Sequence, residues 1–446
     1  MNDERERLGS RLGFIMLSAG CAIGCGNVWK FPWMTGAYGG GGFVLVYILC
    51  LLLLGLPVMT MEFALGRAAQ ASPVRMYQKL EKKGQKWHIH GYFALAGNIA
   101  LMAFYTVVTG WMLYYFVMFL IGKSEDLGFT AMITNPKVNV IYLLVAVVLG
   151  FLILSFNLQG GLERVTKYMM SALLILMIVL AVHSFTLPGA KEGIAFYLVP
   201  DFSKITGEVI VGAMNQAFFT LSVGIGSMAI FGSYIGKDRS LLGESVHVVT
   251  LDTFVAIVAG LIMFPACFTY GLDVDAGPSL LYNTMATVFN HMPGGRVWGT
   301  LFFLFMVFAA FSTELAVFEN ILACIRELTG WNRPKGCLVC GIGIFALALT
   351  TALGYSTFHF QPFADGTAWL DFWDFIVSTN LLPLGALVIT LFCCYKKGWG
   401  WDAFLAEANT GKGLKVKQWM KPIFRYVVPI CIIGIYVYGL ISFPWS

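Results

Sequence analysis

Long apolar runs, rather than an alternation of apolar and polar positions, set the pattern of this chain. They cover Phe43 to Met61, Val140 to Phe156, Met169 to Phe185, Phe254 to Thr269, Leu301 to Phe318, Cys337 to Leu353, Leu381 to Cys394 and Tyr426 to Phe443. Runs of this kind read as helices that cross a bilayer, for which ~20 residues suffice. Two further segments, near 11–37 and 207–235, are as apolar but carry clustered glycines, and a third at 89–122 is more polar. The pattern predicts an all-α polytopic membrane protein with about eleven transmembrane helices by that length criterion. Nothing along 1–446 calls for a second domain.

The glycine-bearing segments carry the first functional signal. "AGCAIGCGNVWKFPW" (19–33) places Gly20, Gly24 and Gly26 inside a span, and "FFTLSVGIGSMAIFGSY" (218–234) repeats the outline with Gly224 and Gly226. Glycine in a helix weakens it, and backbone freed within lipid is tolerated only where something polar satisfies it. Interrupted spans at matching positions of two halves mark a transporter built from inverted repeats, here about 11–185 and 207–396, with an extra helix near 424–443. Five spans per half would force opposite orientations. Close small-residue packing, as in Gly20-x-x-x-Gly24, is the plainer alternative. Asn27 and Thr220 beside the breaks favour a site, because exposed carbonyls can hold a bare cation and half-helix N-termini an anion. A zwitterion accompanied by sodium ions would use both.

Composition and charge narrow the classes further. At 58% hydrophobic and 12% charged residues, the chain has more apolar surface than a soluble core could hide, so the lipid bilayer is a required partner. The net charge of +5 is a topology signal and needs no nucleic-acid partner. With Arg7 and Arg11 inside, the inner loops hold Arg67 to Lys86, Arg164 and Lys167, Lys237 and Arg239, Arg326 to Lys335, and Lys396 to Arg425. The outer loops hold only Lys123, Lys137, Lys191, Lys204 and Arg296, which predicts a cytoplasmic N-terminus and an extracellular C-terminus in the cell membrane. No cleavable leader pattern precedes the first span. Cys337 and Cys340 have metal-pair spacing but open an apolar helix with no second pair nearby, and His88 and His90 sit at a membrane boundary. No nucleophile–base pair or metal cluster suggests an enzyme.

The motifs bear a specific likeness. "SRLGFIMLSAGCAIGCGNVWKFPW" resembles the first span of the neurotransmitter:sodium symporter family, bacterial amino-acid branch, whose prototype is the leucine transporter. The resemblance continues through 38–67, 104–116, 216–238, 308–319 and "DFWDF" (371–375), in order. It implies the leucine-transporter fold, a 5+5 inverted repeat with broken first and sixth helices, and sodium-coupled import of an amino acid by alternating access. A membrane sensor that binds an amino acid without moving it is the alternative, disfavoured by intact ion ligands and gates.

Residue by residue, the resemblance implies that amides around Ala22, Gly24 and Gly26 hold the substrate carboxylate with the Tyr105 hydroxyl. The ammonium would meet carbonyls near Ala22, Phe219 and Thr220, and Ser222. Monoamine members carry an aspartate where this chain has Gly24, so the substrate should bring its own carboxylate. The side-chain pocket would be Cys21, Leu101, Phe219, Ser222, Ile225, Thr313 and Val317, uncharged and suited to a neutral hydrophobic or aromatic amino acid. Two Na+ sites are implied. The first uses Ala22, Asn27, Thr220 and Asp252 with the substrate carboxylate, and the second uses Gly20, Ile23 and Ala309 with the hydroxyls of Ser312 and Thr313.

Several acids and gates complete the implied picture. Asp252 stands where the prototype has asparagine, and Ala256 where animal relatives have a chloride-binding serine, so chloride is not expected as a co-ion. Glu62 and Glu319 read as buried network acids; Glu314 is read as a solvated face in preference to a proton-coupling group. The outer gate would pair Lys30 with Asp371, more loosely than the usual arginine. The inner gate would pair Arg5 with Glu327, supported by Ser233 and Tyr234. A glycine-to-proline motif of the fifth span reads Gly161 to Ser171 here, without its proline. The oligomeric state has no signal in the sequence.

Overall fold

The computed structural model describes residues 8–125, 127–274, 280–363 and 366–442 of the 446-residue chain. Among these residues, nine helices are long and apolar enough to cross a bilayer, and the bent pair Arg11–Ala22 and Gly26–Ala37 makes a tenth. The first span is that pair, kinked by 48°. It is followed by Gly41–Ala69, His88–Leu120, Pro136–Ser155 and Leu158–Phe185 as the second to fifth spans. The shorter helices Gly207–Thr220 and Ser227–Gly232 form the interrupted sixth. Leu241–Tyr270, Gly295–Thr329, Arg333–Ala352, Trp369–Cys394 and Gln418–Ile441 complete the series as the seventh to eleventh.

Local chemistry explains where these helices begin and break. Asn135 caps the fourth span through Lys137 N and Val138 N, and Asn332 caps the ninth through Lys335 N; a proline follows each in the first turn. The sixth span breaks because Ser222, Gly224 and Gly226 adopt φ of 51°, 106° and 74°. Only glycine takes the left-handed region without strain, so Ser222 carries a cost of about 1–3 kcal/mol there. Wide π-type turns interrupt the second span at Leu51–Gly55 and the tenth at Phe375–Leu381, and one opens the fifth at Leu158–Glu163.

The third and eighth spans pack along one another most extensively, and the eighth also meets the first, fourth, fifth and ninth. The first span is buried from Leu17 to Phe31, whereas the fourth, fifth, ninth and eleventh leave Leu152, Ile175, Leu338 and Ile430 exposed as lipid-facing side chains would be. The broken helices thus lie at the centre and the outer helices shield them. On the side where the chain begins, the Trp401–Ala408 helix closes against the second span, where buried Arg67 meets Glu407 and donates to the Arg239 carbonyl at 2.6 Å.

Candidate functional site at the two breaks

The two breaks face one another and are tied together by side chains. Gln216 donates to the Gly26 carbonyl at 2.6 Å, and the Ser222 hydroxyl to the Cys21 carbonyl at 3.0 Å. Glu62 accepts from the amides of Gly224, Gly226 and Met228 at 2.6, 3.4 and 3.0 Å, so a carboxylate of the second span closes the freed N–H groups of the sixth. Asn98 of the third span donates to the Ile225 carbonyl at 2.7 Å and accepts from Ser227 at 3.0 Å. Asn98 and Gln216 are absent from the sequence-derived site; the available signal was a lone amide at Asn98 and the Asn215-Gln216 pair in otherwise apolar stretches.

Gly24 is where a side chain is forbidden. A Cβ built on it would stand 2.2 Å from both the Thr313 hydroxyl and the Tyr105 hydroxyl. The neighbouring Cys25 amide donates to that Tyr105 hydroxyl at 2.8 Å. An amide and a hydroxyl thus converge beside unsubstituted backbone, the donor pair that a carboxylate needs. Phe219 packs against Gly26, and Ser222 meets Cys21 across the breaks. The other residues expected for the pocket, Ala22, Leu101, Ile225, Thr313 and Val317, are all buried, and Phe219, the most exposed of the set, is 6% accessible.

Three of the four residues expected at the first sodium, Asn27, Thr220 and Asp252, meet one another. Asn27 Nδ2 donates to the Asp252 carboxylate at 2.8 Å and to its carbonyl at 3.0 Å, while Thr220 donates to the two carboxylate oxygens at 3.2 and 3.4 Å. Asn27 Oδ1 accepts from the Gly24 amide at 3.1 Å, which joins this cluster to the break. The second set converges too. Thr313 Oγ1 lies 3.0 Å from the Gly20 carbonyl and 3.3 Å from that of Ile23, and Ser312 Oγ lies 3.3 Å from Ile23 and 2.9 Å from Ala309. Five oxygens from the first and eighth spans gather there. Their all-oxygen chemistry fits a hard cation.

The gates depart from expectation. Lys30 does not pair with Asp371. Its Nζ sits 2.7 Å from both carboxylate oxygens of Asp374, 3.2 Å from Ser378 Oγ and 4.5 Å over the Phe219 ring. Asp371 instead accepts from the Ala368 amide at 2.7 Å and caps the start of the tenth span, so the acid three residues on meets the lysine. Two groups, the Asp374 carboxylate and the Ser378 hydroxyl, and the Phe219 ring surround the lysine in a buried position. On the opposite side, Arg5 lies outside the described residues. Glu327 accepts from the Ser72 amide at 2.9 Å and hydroxyl at 2.7 Å. Tyr234 donates to Glu319 at 3.0 Å, and Arg333 pairs with the same acid, while Ser233 donates to the Ile230 carbonyl at 2.6 Å. Arg333 and Asp374 were missed because both sit at the polar edges of apolar runs.

Glu314 is the other correction. The sequence favours a solvated face for it, but the residue, next in sequence to Thr313 of the second oxygen cluster, is fully buried at 0% accessible. The third and fourth spans cover that face of the eighth, which an isolated sequence cannot reveal. In the fifth span, Gly161 lies inside the opening π-type turn, and Ser171 Oγ donates to the Lys167 carbonyl at 2.8 Å.

Comparison with known proteins adds to this geometry. The profile of the sodium:neurotransmitter symporter family matches residues 5–125 and 124–446. An uncharacterized sodium-dependent transporter of Bacillus subtilis, YhdH, is 35% identical, covering 97% of this chain and 98% of that one. The human sodium- and chloride-dependent creatine transporter 1 is 22% identical, covering 98% and 77%. Among solved structures, the crystal structure of MhsT in complex with L-phenylalanine superimposes with a TM-score of 0.89 at 34% identity, covering 97% of this chain and 99% of that chain.

Proposed function

The chain belongs to the sodium:neurotransmitter symporter family, and from that premise we propose that it imports a neutral hydrophobic or aromatic amino acid together with sodium. The observation that carries the reading is the meeting of the Cys25 amide and Tyr105 hydroxyl, 2.8 Å apart, beside Gly24. It offers a carboxylate two donors and no competing acid. The apolar wall of Leu101, Phe219, Ile225 and Val317 takes an uncharged side chain, in keeping with the L-phenylalanine bound by the structural neighbour. Asn27, Thr220 and Asp252 hold one sodium that also ligates the substrate carboxylate, which couples ion to substrate. Gly20, Ile23, Ala309, Ser312 and Thr313 hold a second, which fastens the first span to the eighth.

Asp252 supplies the negative charge at the first sodium, so transport is chloride-independent. Lys30 with Asp374 forms the outer gate, and the Tyr234–Glu319–Arg333 network lies at the inner one. The N-terminus faces the cytoplasm and the C-terminus the exterior of the plasma membrane, and the two halves, 11–185 and 207–396, are the inverted repeats that rock about the site. The sensor alternative has no observation in its favour. Counterflow of labelled phenylalanine, leucine and tryptophan in proteoliposomes tests the reading. Uptake driven by a sodium gradient and indifferent to replacing chloride by gluconate is expected; binding that needs no sodium and leads to no uptake would sink it.

A further inference from the structure

Six acids are buried among the described residues: Glu62, Glu163, Glu244, Asp252, Glu314 and Glu319. Five of them have donors. Glu62 holds backbone amides of the sixth span, Glu163 accepts from Gly9 N and Ser10, Glu244 pairs with Arg11, Asp252 with Asn27 and Thr220, and Glu319 with Arg333. Both carboxylate oxygens of Glu314 lack a hydrogen-bond partner. The Thr109 hydroxyl is near enough for a weak hydrogen bond to it, but its single proton is well placed for the Tyr105 carbonyl at 3.1 Å, so Glu314 has no strong donor there. From the fourth span Gly150 lies near it, and a Cβ there would be 3.9 Å from Oε1. The Phe318 ring stacks on Phe151 at 4.3 Å. A buried carboxylate with no donor costs several kcal/mol unless it takes up a proton or a positive charge compensates it, so a cation that arrives nearby would favour its charged form.

Its neighbours indicate which charge. Glu314 directly follows Thr313, whose hydroxyl belongs to the second oxygen cluster, and Cys25 in the first break lies within electrostatic reach of its carboxylate. That cluster consists of three carbonyls and two hydroxyls, all neutral, whereas the first contains Asp252. We propose that Glu314 is the resident countercharge of the second sodium, acting across a short stretch of low-dielectric protein without ligating the ion. The inference rests on the sodium-coupled reading above and deepens it. Two sodium ions then face two resident carboxylates, Asp252 and Glu314, while a zwitterionic substrate adds no net charge and Glu62 is compensated by half-helix amides. Counting the two ions, Asp252, Glu314 and the zwitterion, the formal charges cancel with no need of an anion. Glu314 is in this sense a positioning charge, and its effect is on sodium affinity.

The test is thermal unfolding of the purified full-length protein, without amino acid, in sodium chloride or potassium chloride series at constant ionic strength. Without substrate the first cluster lacks the carboxylate that the substrate would bring. In Glu314→Gln the sodium concentration for half-maximal stabilisation is expected to rise at least tenfold. Its melting temperature in potassium should match or exceed that of the wild type, because an unpaired buried charge has gone. Glu314→Asp, which keeps the charge one methylene further back, should show a smaller rise. A merely structural glutamate would lower stability equally in both salts. Equal half-maximal sodium in wild type and Glu314→Gln would overturn this inference alone, and a wild type that sodium does not stabilise would overturn it together with the sodium-coupled reading.

Discussion

The two oxygen clusters at the centre of the molecule gather similar atoms in opposite electrical settings. The first closes around Asp252, an acid fully engaged by Asn27 and Thr220. The second is a set of neutral oxygens, and its acid, Glu314, stands behind it with no donor. The contrast teaches that ligand lists alone do not describe an ion site. An acid in direct contact fixes where the ion sits and shares it with the substrate, so the first cluster suits coupling of ion to amino acid. An acid held back strengthens attraction without fixing geometry. On the proposed reading, that suits a joint between the first and eighth spans that has to open during transport.

The harshest way to break the comparison is to disturb both clusters from the backbone between them. In Gly24→Ala the new Cβ would overlap the Thr313 and Tyr105 hydroxyls, each 2.2 Å away. Thr313 belongs to the second cluster, and Gly24 is bonded to Asn27 of the first. Sodium-driven uptake is expected to fall more than about 100-fold, with a stability loss of about 1–3 kcal/mol from overpacking. Gly26→Ala is the milder control, since its Cβ meets Phe219 and Thr220 at 3.1 Å. Uptake and sodium-dependent stabilisation, measured on both variants, check the order; equal losses would show that Gly24 has no special place.

Removing one charge sharpens the contrast. Asp252→Asn keeps the shape of the first cluster and one acceptor oxygen, but deletes its anion and turns the other oxygen into a donor. For charges about 4 Å apart at an effective dielectric of about 20 the Coulomb energy is ~4 kcal/mol, so sodium affinity in the presence of amino acid should drop on the order of 100-fold after relaxation. Chloride should restore part of that loss. Sodium titrations of uptake in chloride and in gluconate measure both effects, and an unaltered sodium requirement in gluconate would remove Asp252 from the ion's coordination.

The sequence carried these features unevenly. Apolar runs and glycine clusters are local signals, so the spans and both breaks were readable, as were the side chains at the breaks once the motifs aligned with a known family. The gate acid was not. Asp371 and Asp374 lie three residues apart in the same motif, and which one meets Lys30 depends on helix phase, which the helix start at Ala368 and the wide turn from Phe375 set together. Glu314 was misread for a related reason. A residue one step from a ligand points about 100° around the helix, and only packing decides whether lipid, water or another helix covers that direction. The third and fourth spans cover it.

The smallest intervention removes a neutral ligand from the second cluster and leaves its acid in place. Thr313→Val keeps the side-chain shape but deletes the hydroxyl that lies 3.0 Å from the Gly20 carbonyl and 3.3 Å from that of Ile23. One hydrogen-bonding group is worth about 0.5–1.5 kcal/mol net, so the sodium requirement should rise only a few-fold to about tenfold. The substrate requirement should change less, because the carboxylate donors, the Cys25 amide and the Tyr105 hydroxyl, stay in place. The comparison then becomes quantitative. If attraction at the second cluster comes mainly from the acid behind it, losing the hydroxyl must cost less sodium affinity than losing the Glu314 charge, although the hydroxyl is the atom that would touch the ion. Sodium titrations of thermal stability on Thr313→Val and Glu314→Gln, run side by side, give the two numbers. A larger rise for Thr313→Val would mean that contact, and not charge at a distance, holds the second ion.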